Sequence, residues 1–276
     1  MRAPSRSGSH YYNYKGFFSI VLFALVDADY KFIWADIGGK GSASDAQIYN
    51  ASSLKEHIET GTAGFPSDAP LPGDNRDVPY FIIGDEAFAL CPTLMKPYHR
   101  RNMAREERIF KYRLSRARRV VENAFGIMSN RFQIFLTKMR HNPETVKLIT
   151  KTCMVLHNIM RVRYPTAHSH VLDQAEGEDK EFRPGQWRQD FNMADTDPHG
   201  YQGGNYTTRA GKAQRALLTH WVNSDVGSVT WQDRIVFKEE QYAEGEAGKD
   251  GDDDKDGGDG KDGDAGDMEV GEHLQS

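Results

Sequence analysis

The chain has 276 residues, 38% of them hydrophobic, which is enough for one large domain or two small ones. Its net charge of −5 is unevenly spread: residues 238–276 hold 15 acids against 4 bases, so removing that net −11 leaves residues 1–237 at +6. Two cysteines, Cys91 and Cys153, exclude a disulfide framework and zinc spacing. The longest apolar run, Phe17–Val26 with Ser19 allowed, is about half of the ~20 residues a spanning helix needs. The first sixteen residues are polar and aromatic, with no signal-peptide pattern, so an intracellular, reducing compartment is expected.

Residues 17–27 and 30–37 are rich in Phe, Ile, Val and Trp and read as two strands. The short turn Asp27-Ala28-Asp29 makes them an antiparallel pair. Gly38-Gly39-Lys40-Gly41-Ser42 breaks the pattern, and Ser44 or Asp45 can cap a helix running to about His57. A Gly/Pro/Asp-rich loop covers 61–78, and Pro79 opens a strand over 80–84.

The next helix is expected over Arg105–Met128, with Phe110, Leu114, Ala117, Val121, Ala124 and Met128 on one face. Glu122 falls at the rim of that face, with Lys111, Ser115 and Arg118 on its flank. Arg119 points away from the core, and Arg113 and Arg116 take the opposite flank. Another helix spans about 143–162, with Val146, Ile149, Cys153, Leu156 and Met160 as its apolar stripe. Residues 166–206 read as a polar linker, and a short amphipathic helix is expected over 208–222. Beyond Tyr242 the Asp/Gly/Lys low complexity cannot bury enough surface to fold.

Chemistry concentrates around Asp85 and Glu122. Asp85 ends the apolar run Tyr80-Phe81-Ile82-Ile83-Gly84, and Glu122 lies in a helix dense in arginine. Two carboxylates so placed can converge on a divalent metal, and metal ions can clamp the attacking and leaving oxygens of a phosphodiester. Residues 96–140 hold 13 Lys/Arg against Glu106, Glu107 and Glu122, an electrostatic footprint for a polyanion. Plain alternatives stand beside each reading. Gly84-Asp85 is also an ordinary turn, Glu122 can pair with Arg118 one turn earlier, and the basic helix can be a solvated face. His157 reads as structural, and His168 with His170 gives only a weak zinc pattern. Asp252-Asp253-Asp254-Lys255-Asp256-Gly257 imitates a calcium loop, but Gly263 stands where its bidentate Glu belongs.

Four stretches resemble the endonuclease domain of Harbinger-type transposases, a branch of the DDE superfamily. They are Tyr12–Ser19 leading into Leu25-Val26-Asp27-Ala28; Gly41-Ser42-Ala43-Ser44-Asp45; Gly84-Asp85-Glu86-Ala87-Phe88-Ala89-Leu90; and Tyr112–Gly126 followed by Arg131-Phe132. Leu156-His157-Asn158 closes the resemblance, which covers roughly residues 11–163. It implies a partial RNase H-like α/β fold, a mixed sheet with flanking helices, followed by a mostly irregular C-terminal extension. The implied division is a nuclease domain over 1–165, a linker over 166–206, a helical extension over 207–237 and an acidic tail over 238–276.

The resemblance also implies a metal-dependent nuclease or transposase acting on DNA with Mg²⁺ or Mn²⁺ in the nucleus. Asp85 would be the second catalytic acid and metal ligand, and Glu122 the third. Asp45 belongs to a matching motif and reads either as a helix cap or as a residue near the metal. Lys96, Arg113, Arg116, Arg118 and Arg119 would meet DNA phosphates, and a separate Myb-like protein would supply target recognition. No membrane and no small-molecule cofactor are expected. The family's first catalytic Asp lies upstream of the Tyr12 stretch, yet the eleven residues before Tyr12 include no Asp or Glu. Impaired chemistry is therefore expected, and the alternative is a non-catalytic DNA- or protein-binding relic.

Overall fold

A computed structural model describes residues 1, 3, 6–13, 15–167, 170–174, 182–190 and 207–236. The acidic segment, its calcium-loop imitation and His168 lie outside the described residues. Strand β1 (Ile20–Val26) pairs antiparallel with β2 (Phe32–Lys40), with register shifts at Val21/Leu22 and Leu25/Val26. Asp27 organises the turn between them, its Oδ1 accepting from the backbone N–H groups of Asp29 and Lys31 at 2.9 Å each. Tyr30 takes φ 65°, the left-handed region, to complete it.

The helix expected from Ser44 to His57 is two helices, α1 (Asp45–Asn50) and α2 (Ser53–Glu59). Ser44 caps the first through a capping box with Gln47, and Ser52 caps the second by accepting from the Lys55 N–H. A second N-cap inside a helical pattern restarts the chain rather than continuing it.

Two short strands, β3 (Ala69–Pro70) and β4 (Asp77–Val78), pair antiparallel. The expected strand over 80–84 shortens to β5 (Ile82–Ile83), which runs parallel to β6 (Leu94–Met95). Among the described residues the β structure is therefore three two-stranded sheets rather than one mixed sheet. The class is mixed α/β.

Helix α3 (Arg105–Arg131) is the axis of the molecule. At one end Ile109, Phe110 and Leu114 pack with Leu218 and Val222 of α6 (Arg209–Val222) and with Leu90 and Met95. At the other end Ala124 and Met128 meet Phe32 of the hairpin and Met154 of α4 (Pro143–Arg163). Tyr49, Leu54, Phe88 and Leu94 form a third cluster under Phe23 and Leu25 of β1.

Helix α4 buries Val146, Thr150, Cys153, Met154 and His157, a line rotated from the expected stripe. Polar anchoring causes the rotation. His157 Nε2 lies 2.7 Å from the Tyr30 carbonyl, and the Asn158 amide both accepts from the Phe32 N–H (2.9 Å) and donates to its C=O (2.8 Å). Asn158 thus imitates a neighbouring strand, and His157-Asn158 docks the hairpin, with Leu156 beside them left exposed. Leu148, Val155, Ile159 and Val162 remain exposed on α4.

Candidate active site

Asp85 lies two residues past the end of β5. Gly84 before it has no room for a Cβ, which would stand 2.7 Å from the Phe88 ring, so only glycine brings the chain through. The Asp85 Oδ1 accepts the Ala87 N–H at 2.8 Å, which orients the carboxylate. A carboxylate oxygen has lone pairs beyond one such bond.

Asp45, in the first turn of α1, shares this neighbourhood. Burial, and after it the negative charge of Asp85, pushes the Asp45 carboxyl above its ordinary pKa. Ser44, not Asp45, is the helix cap. A carboxylate sheltered from solvent beside the negative charge of a second one offers hard oxygen donors of the kind a divalent cation takes.

Lys96, just past β6, adds positive charge at the same place. Its Nζ donates to the Glu86 carbonyl at 3.1 Å. Burial and then Arg215 depress its pKa, while Glu86 and Asp85 oppose that shift. His99 Nδ1 contacts the Glu86 carboxylate at 2.5 Å.

Glu122 sits in a different setting. It is paired with Arg118 at 3.3 Å and with Arg188 of α5 (Trp187–Asp190) at 3.0 Å. Arg188 also grips Asp173, its Nε 2.8 Å from Oδ1 and its Nη2 2.7 Å from Oδ2. The Asp173 side chain is only 3% exposed. Next to Glu122, the Asn123 Oδ1 accepts from the Trp187 indole N–H (2.9 Å) and from the Asp173 N–H (3.1 Å). Trp187 is buried over Gly126, where an added Cβ would stand 2.4 Å from the indole. Residues 171–174 and 182–188 thus strap onto α3 from within the expected linker.

Among the described residues, no three His, Cys, Asp or Glu side chains gather where they could hold a metal ion. The structure places Asp45 within electrostatic reach of Asp85 and joins Glu122 to Asp173 through Arg188. Sequence reasoning missed Asp173, Trp187 and Arg188, which lie 50 to 66 residues from their α3 partners in an aperiodic stretch.

The anticipated phosphate contacts all have intramolecular roles. Arg113 donates to the Gly227 carbonyl (3.2 Å) and to Gln232 Oε1 (2.9 Å). Arg116 stacks 4.2 Å from the Trp231 centroid and Arg119 4.7 Å from that of Phe182. Arg118 serves Glu122.

A mixed α/β domain with carboxylates just beyond a half-buried strand and an arginine-rich helix beside it has the ingredients of a phosphodiester-processing fold. The chain belongs to the DDE superfamily endonuclease family, whose pattern matches residues 1–158. Within it the chain falls in the Harbinger-derived branch.

It is 28% identical over 145 residues to "Protein ALP1-like" of Arabidopsis thaliana, covering 52% of this chain and 35% of that protein. It is 26% identical over 194 residues to "Putative nuclease HARBI1" of Rattus norvegicus, covering 66% of this chain and 50% of that one. The Mus musculus protein of the same name matches at 26% over 166 residues, 58% of this chain and 42% of its own length. The chain thus spans half or less of the length of these relatives. No solved structure matches it significantly. The domain is of nuclease and transposase-derived type, and DDE superfamily endonucleases depend on divalent metal.

Proposed function

We propose that this chain is a DNA-binding, RNase H-like nuclease core whose metal chemistry is impaired. The observation that carries the reading is the Asp85 carboxylate just past β5, oriented by the Ala87 N–H, with Lys96 anchored to the Glu86 carbonyl beside it and Asp45 within electrostatic reach. Asp85 and Asp45 would hold Mg²⁺ or Mn²⁺, and Glu122 would join them only when released from Arg188. When bound, the ion supplies an activated water or 3′-hydroxyl and neutralises charge at phosphorus. Asp85 is held in orientation by the Ala87 N–H, and Lys96 keeps a cation near the site for the phosphate.

Lys96, Arg113, Arg116, Arg118 and Arg119 would supply the sequence-independent attraction to DNA. Target choice would come from a separate Myb-like protein, and the nucleus is the compartment where both would meet DNA. The capture of Glu122 between Arg118 and Arg188 favours a second reading, a relic that binds DNA or protein without cutting.

Titrating Mn²⁺ into the full chain with supercoiled plasmid separates the two. Binding without nicking is expected. Metal-dependent nicking that disappears in Asp85→Ala and in Glu122→Ala would instead establish a working nuclease, with Asp45→Ala testing the third acid.

A further inference from the structure

A cavity of about 560 Å³ opens along α3 between β5 and α6. The rings of Phe81, Trp221 and Trp231 line it, together with Arg113, Arg116 and Arg119. The three arginines step along the helix at three-residue intervals, about 4.5 Å of rise each. Ala117, expected in the apolar stripe, is instead exposed, because the stripe opens onto this cavity there. We infer that the cavity is a nucleotide pocket, taking a planar base among its rings and a phosphate on the α3 guanidiniums.

Charge argues for an anion. Asp173 is the one acid among the described lining residues, and Arg188 already holds both of its oxygens. The two acceptors of Arg113 are a carbonyl and a neutral amide, which leave its charge uncancelled. Burial, followed by the nearby Arg116, lowers the Arg113 pKa, as an unneutralised guanidinium in a sheltered place requires. Phosphate matches the guanidinium fork and would relieve both effects.

Shape argues for the base. Arg116 is already stacked on Trp231, a cation–π platform that a further ring can extend. Inorganic phosphate has nothing to place against Phe81 or Trp221. The pocket also reaches Ile83 on one side and Asn123 on the other, the immediate neighbours of Gly84-Asp85 and of Glu122. A nucleotide seated there touches residues close along the chain to both candidate acids, so this inference deepens the nuclease reading and rests on it.

Calorimetry on the full chain in EDTA tests it, with dAMP, deoxyribose 5-phosphate, inorganic phosphate and an oligothymidylate as separate probes. Nucleotide binding is expected, with the sugar phosphate about tenfold weaker or worse, in keeping with the worth of base stacking. Ala117→Leu fills the cavity from an exposed position, and Arg113→Gln removes the charge. Each should weaken dAMP by about tenfold, with thermal melts confirming that the variants fold. If Arg113→Gln does not fold, Ala117→Leu decides alone.

Binding of dAMP alone assigns the pocket to free nucleotides, and binding of the oligonucleotide assigns it to a DNA strand. Equal affinity for dAMP and sugar phosphate, or dAMP affinity indifferent to Ala117→Leu, would overturn the pocket. Because no metal is present, a failure to nick plasmid leaves this result untouched.

Discussion

Removing the guanidinium of Arg188 would strand Asp173, a carboxylate with 3% of its side chain exposed, and loosen Glu122. Breaking a fully buried pair costs about 3–5 kcal/mol. Arg188 is itself a third exposed, so Arg188→Ala should cost about 1–3 kcal/mol in urea denaturation. Arg188→Lys should recover only part, since an ammonium cannot reproduce the fork onto Asp173. A loss below a few tenths in both would show the network to be decorative.

Tyr49 offers a pH test at the same scale. Burial first, then the charges of Cys91 and Glu59, push its phenol up from 10.0 to about 12. Between those values the unfolded chain has lost a proton that the folded chain keeps, so stability falls as pH rises through that window. A two-unit shift is worth about 2–3 kcal/mol. Tyr49→Phe should flatten alkaline unfolding, and an unchanged slope by circular dichroism would reassign it to other groups.

At the scale of elements, α3 is arranged by what it must admit. Gly126 in mid-helix costs about 1 kcal/mol relative to alanine, yet Gly126→Ala should destabilise, because its Cβ would meet the Trp187 indole. Overpacking of this kind costs about 1–3 kcal/mol. The expected sign is a net loss with red-shifted tryptophan emission as Trp187 leaves its site. A stabilised variant with unchanged emission would mean that the strap gives way without strain.

The elements themselves were largely legible in the sequence. The hairpin, α3, α4 and α6 announce themselves through apolar runs or helical periodicity, and their ends fall within a few residues of expectation. Periodicity misplaced the buried line of α4, because it ranks Leu156 above His157 and has no sight of a strand edge wanting polar partners. It also joined α1 to α2, although Ser52-Ser53 carried the signal of a fresh cap.

For the whole molecule, charge is the property most open to test. Residues 1–237 stand at +6 and the remainder at −11. Removing residues 238–276 should tighten nonspecific DNA binding at low salt, with the gain fading as salt rises. Equal affinity with and without them would show that the acidic segment does not compete with DNA.

The candidate site was legible only in halves. Asp85, Glu122 and Asp45 carry motif signals, but their partners are set by tertiary approach. Asp45 feels the charge of Asp85 from a helix 40 positions earlier, and Glu122 meets Arg188 across 66. Neither separation leaves a repeat for sequence to reveal.

The clasp of Asn158 on Phe32 has a consequence in time. A hairpin such as β1–β2 closes in about 1–10 μs, while its clasp lies 126 residues further along the chain. At roughly 5–20 residues per second of synthesis, the newborn hairpin waits about 6–25 s for α4. Until α3 and then α4 arrive to cover it, Phe32 stands exposed on the ribosome, so this stretch is where a chaperone would have a long opportunity to bind.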